Sequence, residues 1–174
     1  MTENGEEETE RMSVRLRPAE AEDVDFLTLM LLEAFNWDGE GGFDHARVLA
    51  DPKLAHYVTG WPRPGDLGVI AEDAAPPGER VGAAWARLLP PDDPGYGYVA
   101  PDVPEVSLAV APGWRGRGVG RALLTELIAR AAATGLTGLS LSVEDGNRAA
   151  RLYTDLGFVT VGREGDSDTM LLRL

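Results

Sequence analysis

Apolar residues along this chain change period in a way that spells out an order of elements. Ser13 to Arg17 (SVRLR) alternates and stops at Pro18, which predicts a first strand at a sheet edge. Val24, Leu27, Leu31, Ala34 and Phe35 then share one helical stripe, with Glu20, Glu22 and Asp23 in the first turns, where a helix dipole favours carboxylates. Asn36 to Gly42 (NWDGEGG) is a break, and Phe43 to Val58 reads as one or two short helices interrupted near Pro52. Two strands follow, Asp66 to Glu72 and Arg80 to Leu88, hairpin-related across a turn with Pro76, Pro77 and Gly78. Between Pro90 and Pro104 stand five Pro and two Gly, with Tyr96 and Tyr98. That segment is a long ordered loop, either functional or a surface excursion.

Glu105 to Val110 (EVSLAV) is the next strand, and Gly118 to Ala133 an amphipathic helix with Leu123, Leu124, Leu127, Ile128 and Ala131 inward, ended by Gly135. Thr137 to Val143 is a strand, Asn147 to Leu156 a helix with Asn147 as its cap, and Phe158 to Arg163 and Thr169 to Arg173 are two last strands. The strand, helix, strand unit from Glu105 to Val143 makes those two strands parallel neighbours, with antiparallel hairpins around them. The expected fold is mixed α/β (α+β): a twisted, mostly antiparallel sheet with one parallel pair and helices on both faces.

Composition narrows the partners. The formal net charge is −13, so the basic face needed to neutralise a nucleic acid is not expected, and cationic small molecules or basic peptides are favoured by steering if the charge does more than confer solubility. Residues 1–12, with five Glu and one Arg, read as a disordered acidic tail before a domain over residues 13–174. Cysteine is absent, which excludes thiolate metal sites and a cysteine nucleophile, and His45 and His56 are isolated, so neither metal nor role is assigned to them. No leader pattern and no run of eighteen apolar residues is seen, so the expected place is the cytoplasm, without a membrane.

The chemistry concentrates where EVSLAV meets the following helix. Gly116, Gly118 and Gly120 fall in five residues, flanked by Arg115, Arg117 and Arg121 in an acidic chain. N–H groups at a helix start are unpaired and carry the positive end of the dipole, and glycine lets a phosphate approach them, so a diphosphate is the natural ligand. Other readings are a tight turn with glycines needed only for its dihedrals, or a dinucleotide fold with Glu144 as the ribose acid. The latter needs a third glycine where Arg121 stands, and a P-loop fails because no Gly-Lys-Ser or Gly-Lys-Thr follows.

Arg115-Gly116-Arg117-Gly118-Val119-Gly120 after an apolar strand resembles the coenzyme A motif, Arg-x-x-Gly-x-Gly, of the GNAT superfamily of acyl-CoA-dependent N-acyltransferases. Asn147 to Phe158 (NRAARLYTDLGF) resembles the family's second motif, in which Asn opens a helix, Tyr lies six residues on, and Leu-Gly-Phe leads into a strand. The resemblance covers Val14 to Leu172 in element order and is sharp from Glu105 to Phe158.

The resemblance implies that the parallel pair is splayed and that the pantetheine arm of acetyl-CoA pairs with Leu108, Ala109 and Val110, while Gly116 to Arg121, with Arg115, hold the pyrophosphate. It implies that Asn147 contacts the cofactor, unless it only caps its helix. Tyr153 becomes the general acid for the departing thiolate, or else packs beside Leu152 and Leu156. Glu105 becomes the base for an amine nucleophile, or else an exposed strand-edge carboxylate. Glu33 is a second candidate, and Trp37 and Asp38, with Glu40 and Asp44 nearby, face the acceptor, unless the loop carboxylates are only solvated. Some relatives that modify protein termini carry Glu where Ser142 stands here, which weakens a terminal-amine reading. The implied activity is direct transfer of an acetyl group from acetyl-CoA to a primary amine of a small molecule or peptide, in a possible homodimer. A non-catalytic acyl-CoA sensor and a dinucleotide-binding protein are the alternatives.

Overall fold

The computed structural model describes residues 13–174, so the expected tail over residues 1–12 lies outside the described residues. The strands are β1 (Val14–Pro18), β2 (Leu67–Asp73), β3 (Arg80–Arg87), β4 (Glu105–Val110), β5 (Gly138–Glu144), β6 (Val159–Glu164) and β7 (Ser167–Arg173). They form one sheet in the order β1-β2-β3-β4-β5-β7-β6, antiparallel throughout except for β4 and β5. Pro18 is tolerated inside β1 because β1 is an edge strand whose outer side makes no ladder.

The helices are α1 (Val24–Phe35), α2 (His45–Ala50), α3 (Pro52–Ala55), α4 (Val119–Ala133) and α5 (Ala149–Asp155). They divide between the two faces and so create two cores. On one face α4 lays the fully buried Leu123, Leu124, Leu127 and Ala131 across Val69, Ala84 and Val106, joined by Tyr153 and Phe158 of the α5 region. Each buried leucine contributes about 2 kcal/mol relative to exposure. On the other face Leu27 and Leu31 of α1, Val48 of α2 and Leu54 of α3 cover Ile70, Ala83, Trp85 and Ala109. The alternation read in EVSLAV is what separates these cores: Val106, Leu108 and Val110 meet the first, Ala109 the second.

Local signals end the helices where the sequence says they should. Gly135 has φ of 82°, and the bonds Gly135 N–H to Ala132 O and Leu136 N–H to Ala131 O close α4 in a Schellman motif. Two details differ from expectation. Asp23, expected to serve the dipole of α1, is buried and accepts from Arg17 of β1 (2.7 and 2.8 Å) and Arg80 of β3 (3.2 Å), an ion-pair site formed by one strand before it and one after it in the chain. Asn147 lies before α5, which begins two residues later, yet its side-chain oxygen accepts from Ala149 N at 3.0 Å and caps it as expected.

Beneath the loop between β3 and β4, Arg87 and Asp66 form a buried pair, Nη2 to Oδ2 at 2.7 Å and Nε to Oδ1 at 3.1 Å. The remaining guanidinium nitrogen donates to the carbonyls of His56 and Thr59, so this charge is fully satisfied.

Candidate active site

β4 is paired along its whole length with β3, Glu105 to Val110 against Arg87 to Gly82, but meets β5 only at Glu105 opposite Ser140. Ser140 N–H donates to Pro104 O at 3.0 Å, and beyond this contact the parallel strands diverge. β5 remains paired on its far side with β7 from Gly138 to Glu144. The consequence is a row of backbone groups on β4 with no strand among the described residues to satisfy them, which is the acceptor and donor pattern that a peptide-like chain completes.

A cleft of about 1130 Å³ occupies this opening. Its lining comes from both faces of the sheet: Leu108, Val119, Leu152 and Tyr153 from one core, Leu31, Phe35, Phe43 and Tyr57 from the other. The cleft therefore runs through the sheet at the splay, with one mouth on the side of α4 and α5 and the other on the side of α1.

At the first mouth stands the glycine turn. Gly116 and Gly118 have φ of 75° and 83°, a conformation that favours glycine, and Gly118 is the cap of α4. A Cβ at either position would meet no protein atom within 4 Å, so packing does not demand glycine there. The first-turn N–H groups of α4 have no intrahelical acceptor, as at any helix start. Arg115 reaches back to Val110 O (3.1 Å) and across to Glu33 (2.9 Å), and Arg121 pairs with Asp155 (3.1 Å). Val119 and Gly120 line the cleft with them. Arg117 is exposed, with its guanidinium 4.9 Å over the Trp114 ring. The unpaired β4 edge and the amides at the α4 start together fit a ligand with an amide-bearing arm and a diphosphate.

Glu105 sits where the splay begins and is 5% exposed, so it is not an exposed edge carboxylate. Its Oε1 accepts from the Tyr57 hydroxyl (2.9 Å) and from Gly97 N–H (2.8 Å), while Oε2 is buried with no partner among the described residues. Burial pushes its pKa up to about 7 against the pull of the Gly97 and Tyr57 bonds. Tyr153 is buried against Phe158, 5.9 Å between ring centres, and burial raises its phenol to about 12. Asn147 lines the cleft with its capping oxygen engaged. Trp37, Asp38 and Glu33 line the mouth near α1, beside an aromatic wall in which Phe35 stacks on Phe43 (5.1 Å) and meets Tyr57 edge-on (6.3 Å). Glu33 is the one tied to Arg115, and Asp38 accepts from Glu40 N–H.

The profile of the acetyltransferase (GNAT) family matches residues 28–158. The chain belongs to the GNAT acetyltransferase family. Enzymes of this family use acetyl-CoA as co-substrate. Among solved structures, this GNAT chain is similar to an N-acetyltransferase from Kribbella flavida (27% identity, 93% of this chain and 98% of that one covered, TM-score 0.65). It shares the fold of the GNAT domain of S. lividans PAT (20% identity, 92% and 90%, TM-score 0.67). It also shares that of a phosphinothricin acetyltransferase from Sinorhizobium meliloti in complex with acetyl-CoA (24%, 94% and 89%, TM-score 0.64). Among curated protein sequences none matches this chain.

Within this GNAT domain the structure gathers all the expected site residues except Arg117 around one cleft. The sequence reading missed Tyr57, Phe35 and Phe43 as cleft walls, and it gave Tyr96 only as part of a loop. Tyr57 stands 48 residues from Glu105 and carries no local motif; the one available signal was the Tyr and Gly content of the loop over residues 90–104. His56, given no role, is buried, its Nδ1 3.0 Å from Asp93 of the same loop. Among the described residues no helix is long and apolar enough to cross a membrane, and no cluster of metal-ligating side chains occurs.

Proposed function

We propose that the chain transfers the acetyl group of acetyl-CoA to a primary amine by direct attack, the thioester entering from the α4 side and the amine from the α1 side. The observation that carries this reading is the cleft through the sheet, with Glu105 and Tyr153 both on its wall. Leu108, Ala109 and Val110 offer the pantetheine arm an unpaired strand edge, and Arg115, Gly116, Gly118, Val119, Gly120 and Arg121 surround the pyrophosphate. Asn147 stands beside the same arm with its side-chain nitrogen.

An amine arrives protonated and must lose a proton before its nitrogen attacks the thioester carbon. Oε2 of Glu105 takes that proton, since Oε1 already receives two donors. A carboxyl raised to about 7 accepts it more readily than an ordinary carboxylate. The new N–C bond forms and the C–S bond breaks; the thiolate leaves with a proton from Tyr153, and the second proton lost by the acylated nitrogen restores the phenol. Burial keeps that phenol neutral, so it always carries the proton, while its transfer to a thiolate of ordinary pKa about 8.5 is uphill and must be coupled to C–S cleavage. Trp37, Asp38 and Glu33 receive the acceptor, whose ammonium suits an aromatic wall beside carboxylates. The splay is unbridged on the acceptor side by any Glu at Ser142, which favours a small molecule or a side-chain amine over a protein terminus.

Free thiol release from acetyl-CoA, measured with spermidine, kanamycin, lysine and a lysine peptide, tests the proposal. Release with at least one amine, lost in Glu105→Gln, is expected. Tight acetyl-CoA binding with no release from a wide amine panel means an acyl-CoA sensor instead. Thermal stabilisation by NAD but not by coenzyme A means a dinucleotide protein.

A further inference from the structure

The loop joining β3 to β4 is fastened over the closed end of the splay by three contacts from two directions. His56 Nδ1 meets Asp93 (3.0 Å), the Tyr57 hydroxyl accepts from Tyr96 N–H (2.9 Å), and Gly97 N–H donates to Glu105 (2.8 Å). The loop approaches so closely that glycine is required at Gly97, against the β5 backbone, and any larger residue at Gly95 must displace the Glu105 carboxylate. A Cβ on Gly97 would lie 2.4 Å from the carbonyl carbon of Leu141 in β5, and one on Gly95 would lie 1.7 Å from Oε2 of Glu105. Tyr57 thus bonds to both the loop and the carboxylate: its hydroxyl donates to Glu105 Oε1 and accepts from Tyr96 N–H, both at 2.9 Å.

We propose that Tyr57 is a positioning residue for Glu105, holding Oε1 jointly with Gly97 N–H so that Oε2 alone is left to take the acceptor's proton. This rests on the reading of Glu105 as the base. A carboxylate has two equivalent oxygens and a freely turning terminal torsion. Two donors on one oxygen fix the plane and select which oxygen remains basic, much as a hydrogen bond on one ring nitrogen of a histidine selects the other. Both bonds also stabilise the ionised form, which keeps the base from being captured by burial in its protonated state.

The charged and titratable surroundings do not supply a substitute. Arg87 of β3 stands directly opposite Glu105, but its guanidinium is committed to Asp66 and to the carbonyls of His56 and Thr59. His56 stacks edge-on against Tyr57 at 4.5 Å with its Nδ1 turned to Asp93. From β5 the neighbour is Ser140, whose buried hydroxyl has no partner among the described residues, and from the loop it is Tyr96, 54% exposed and lining the cleft.

The test uses Tyr57→Phe, which keeps the ring and removes only the hydroxyl. In the full chain, the carboxyl titration of Glu105 is followed by NMR with carbon-labelled glutamate and assigned by its loss in Glu105→Gln. Loss of a donor to the ionised form raises the carboxyl pKa, by about one pH unit for a charge-assisted bond. The acid limb of kcat/KM for thiol release, with whichever of spermidine, kanamycin, lysine or the lysine peptide is turned over, moves up in pH by the same amount. Activity at pH 7 falls about fivefold and at pH 9 stays within twofold of the parent. A purely structural role lowers activity by one factor at every pH, and that result, or an unmoved Glu105 titration, overturns the proposal. If the titration moves but Glu105→Gln leaves thiol release unchanged, the base assignment beneath it is what has failed. Gly95→Ala provides a second approach with Tyr57 intact: its methyl displaces Oε2, so kcat drops at all pH values while KM for acetyl-CoA holds, and an unaltered kcat counts against the selected oxygen.

Discussion

The two mouths of the cleft are built by opposite means. The cofactor mouth is made of backbone: an unpaired strand edge and the first N–H groups of α4, brought together by fewer than fifteen consecutive residues from Leu108 to Arg121. The acceptor mouth is assembled from distant segments around two side chains, Tyr57 after α3 and Glu105 on β4, held by the backbone N–H groups of Tyr96 and Gly97 in a hydrogen-bonded cluster. A backbone site tolerates changes in most side chains and depends on conformation. A side-chain cluster with one unpartnered buried oxygen depends on each member, because the loss of any donor leaves a buried group unsatisfied.

The largest effect that separates the two mouths is expected from Glu105→Gln. Turnover with a proven amine should fall by about 10² or more while KM for acetyl-CoA stays nearly constant, because general base catalysis is worth roughly that much. The same substitution has a stability signature of fixed sign. The folded carboxyl is raised to about 7 from an ordinary value of 4.5, so ionising it costs stability that is intact below the lower value and lost as pH rises through the higher one. Glutamine cannot ionise. Denaturant melts at pH 5 and pH 8 should therefore show Glu105→Gln gaining on the parent by on the order of 3 kcal/mol between the two. An equal difference at both pH values would mean that Glu105 is not a buried titrating group.

Next in size is Gly118→Val, which attacks the other mouth. A β-branched residue at φ of 83° is strained by roughly 1–3 kcal/mol, and its side chain stands over the N–H groups that face the phosphate. KM for acetyl-CoA should rise about tenfold to a hundredfold with kcat largely kept. A kcat effect as large as that of Glu105→Gln would break the division between a binding mouth and a chemical one. Tyr153→Phe comes third, about tenfold in kcat, since the thiolate is already a fair leaving group and gains only part of its stabilisation from the proton. With its phenol raised to about 12, Tyr153 is neutral throughout the working range, so this loss should be uniform below about pH 10. That flat profile contrasts with the moving acid limb expected of Tyr57→Phe.

The same contrast explains what the sequence disclosed. The parallel pair, the helix boundaries and the glycine turn were legible because periodicity, caps and a short motif are local, and α4 begins and ends within one residue of expectation. Alternation along EVSLAV also puts Glu105 on the face opposite Val106, Leu108 and Val110. Its burial was not legible, because it depends on where residues 95–97 come to rest, and nothing at position 105 encodes a donor that lies 48 residues earlier. Arg117 shows the converse: a motif places three arginines around the turn, but the side chain can turn outward, and here Trp114 takes its guanidinium. Motifs fix backbone, whereas side-chain direction is decided by neighbours.

Glu33 joins the two mouths and should show the smallest effect. Its pair with Arg115 spans from α1 to the glycine turn at 2.9 Å, but the side chains are 35% and 49% exposed. Exposed pairs of this kind contribute about 0.2–1 kcal/mol, less in salt, so Glu33→Gln should change either kinetic constant by no more than about fivefold. The direction is informative. Freed from Glu33, Arg115 keeps its bond to Val110 O and its place beside the α4 start, so KM for acetyl-CoA is expected to hold or fall slightly. A hundredfold loss of kcat in Glu33→Gln, with Glu105→Gln mild, would exchange the roles of the two carboxylates. The base would then sit at an exposed rim, and the buried cluster around Tyr57 would be a fastening for the loop alone.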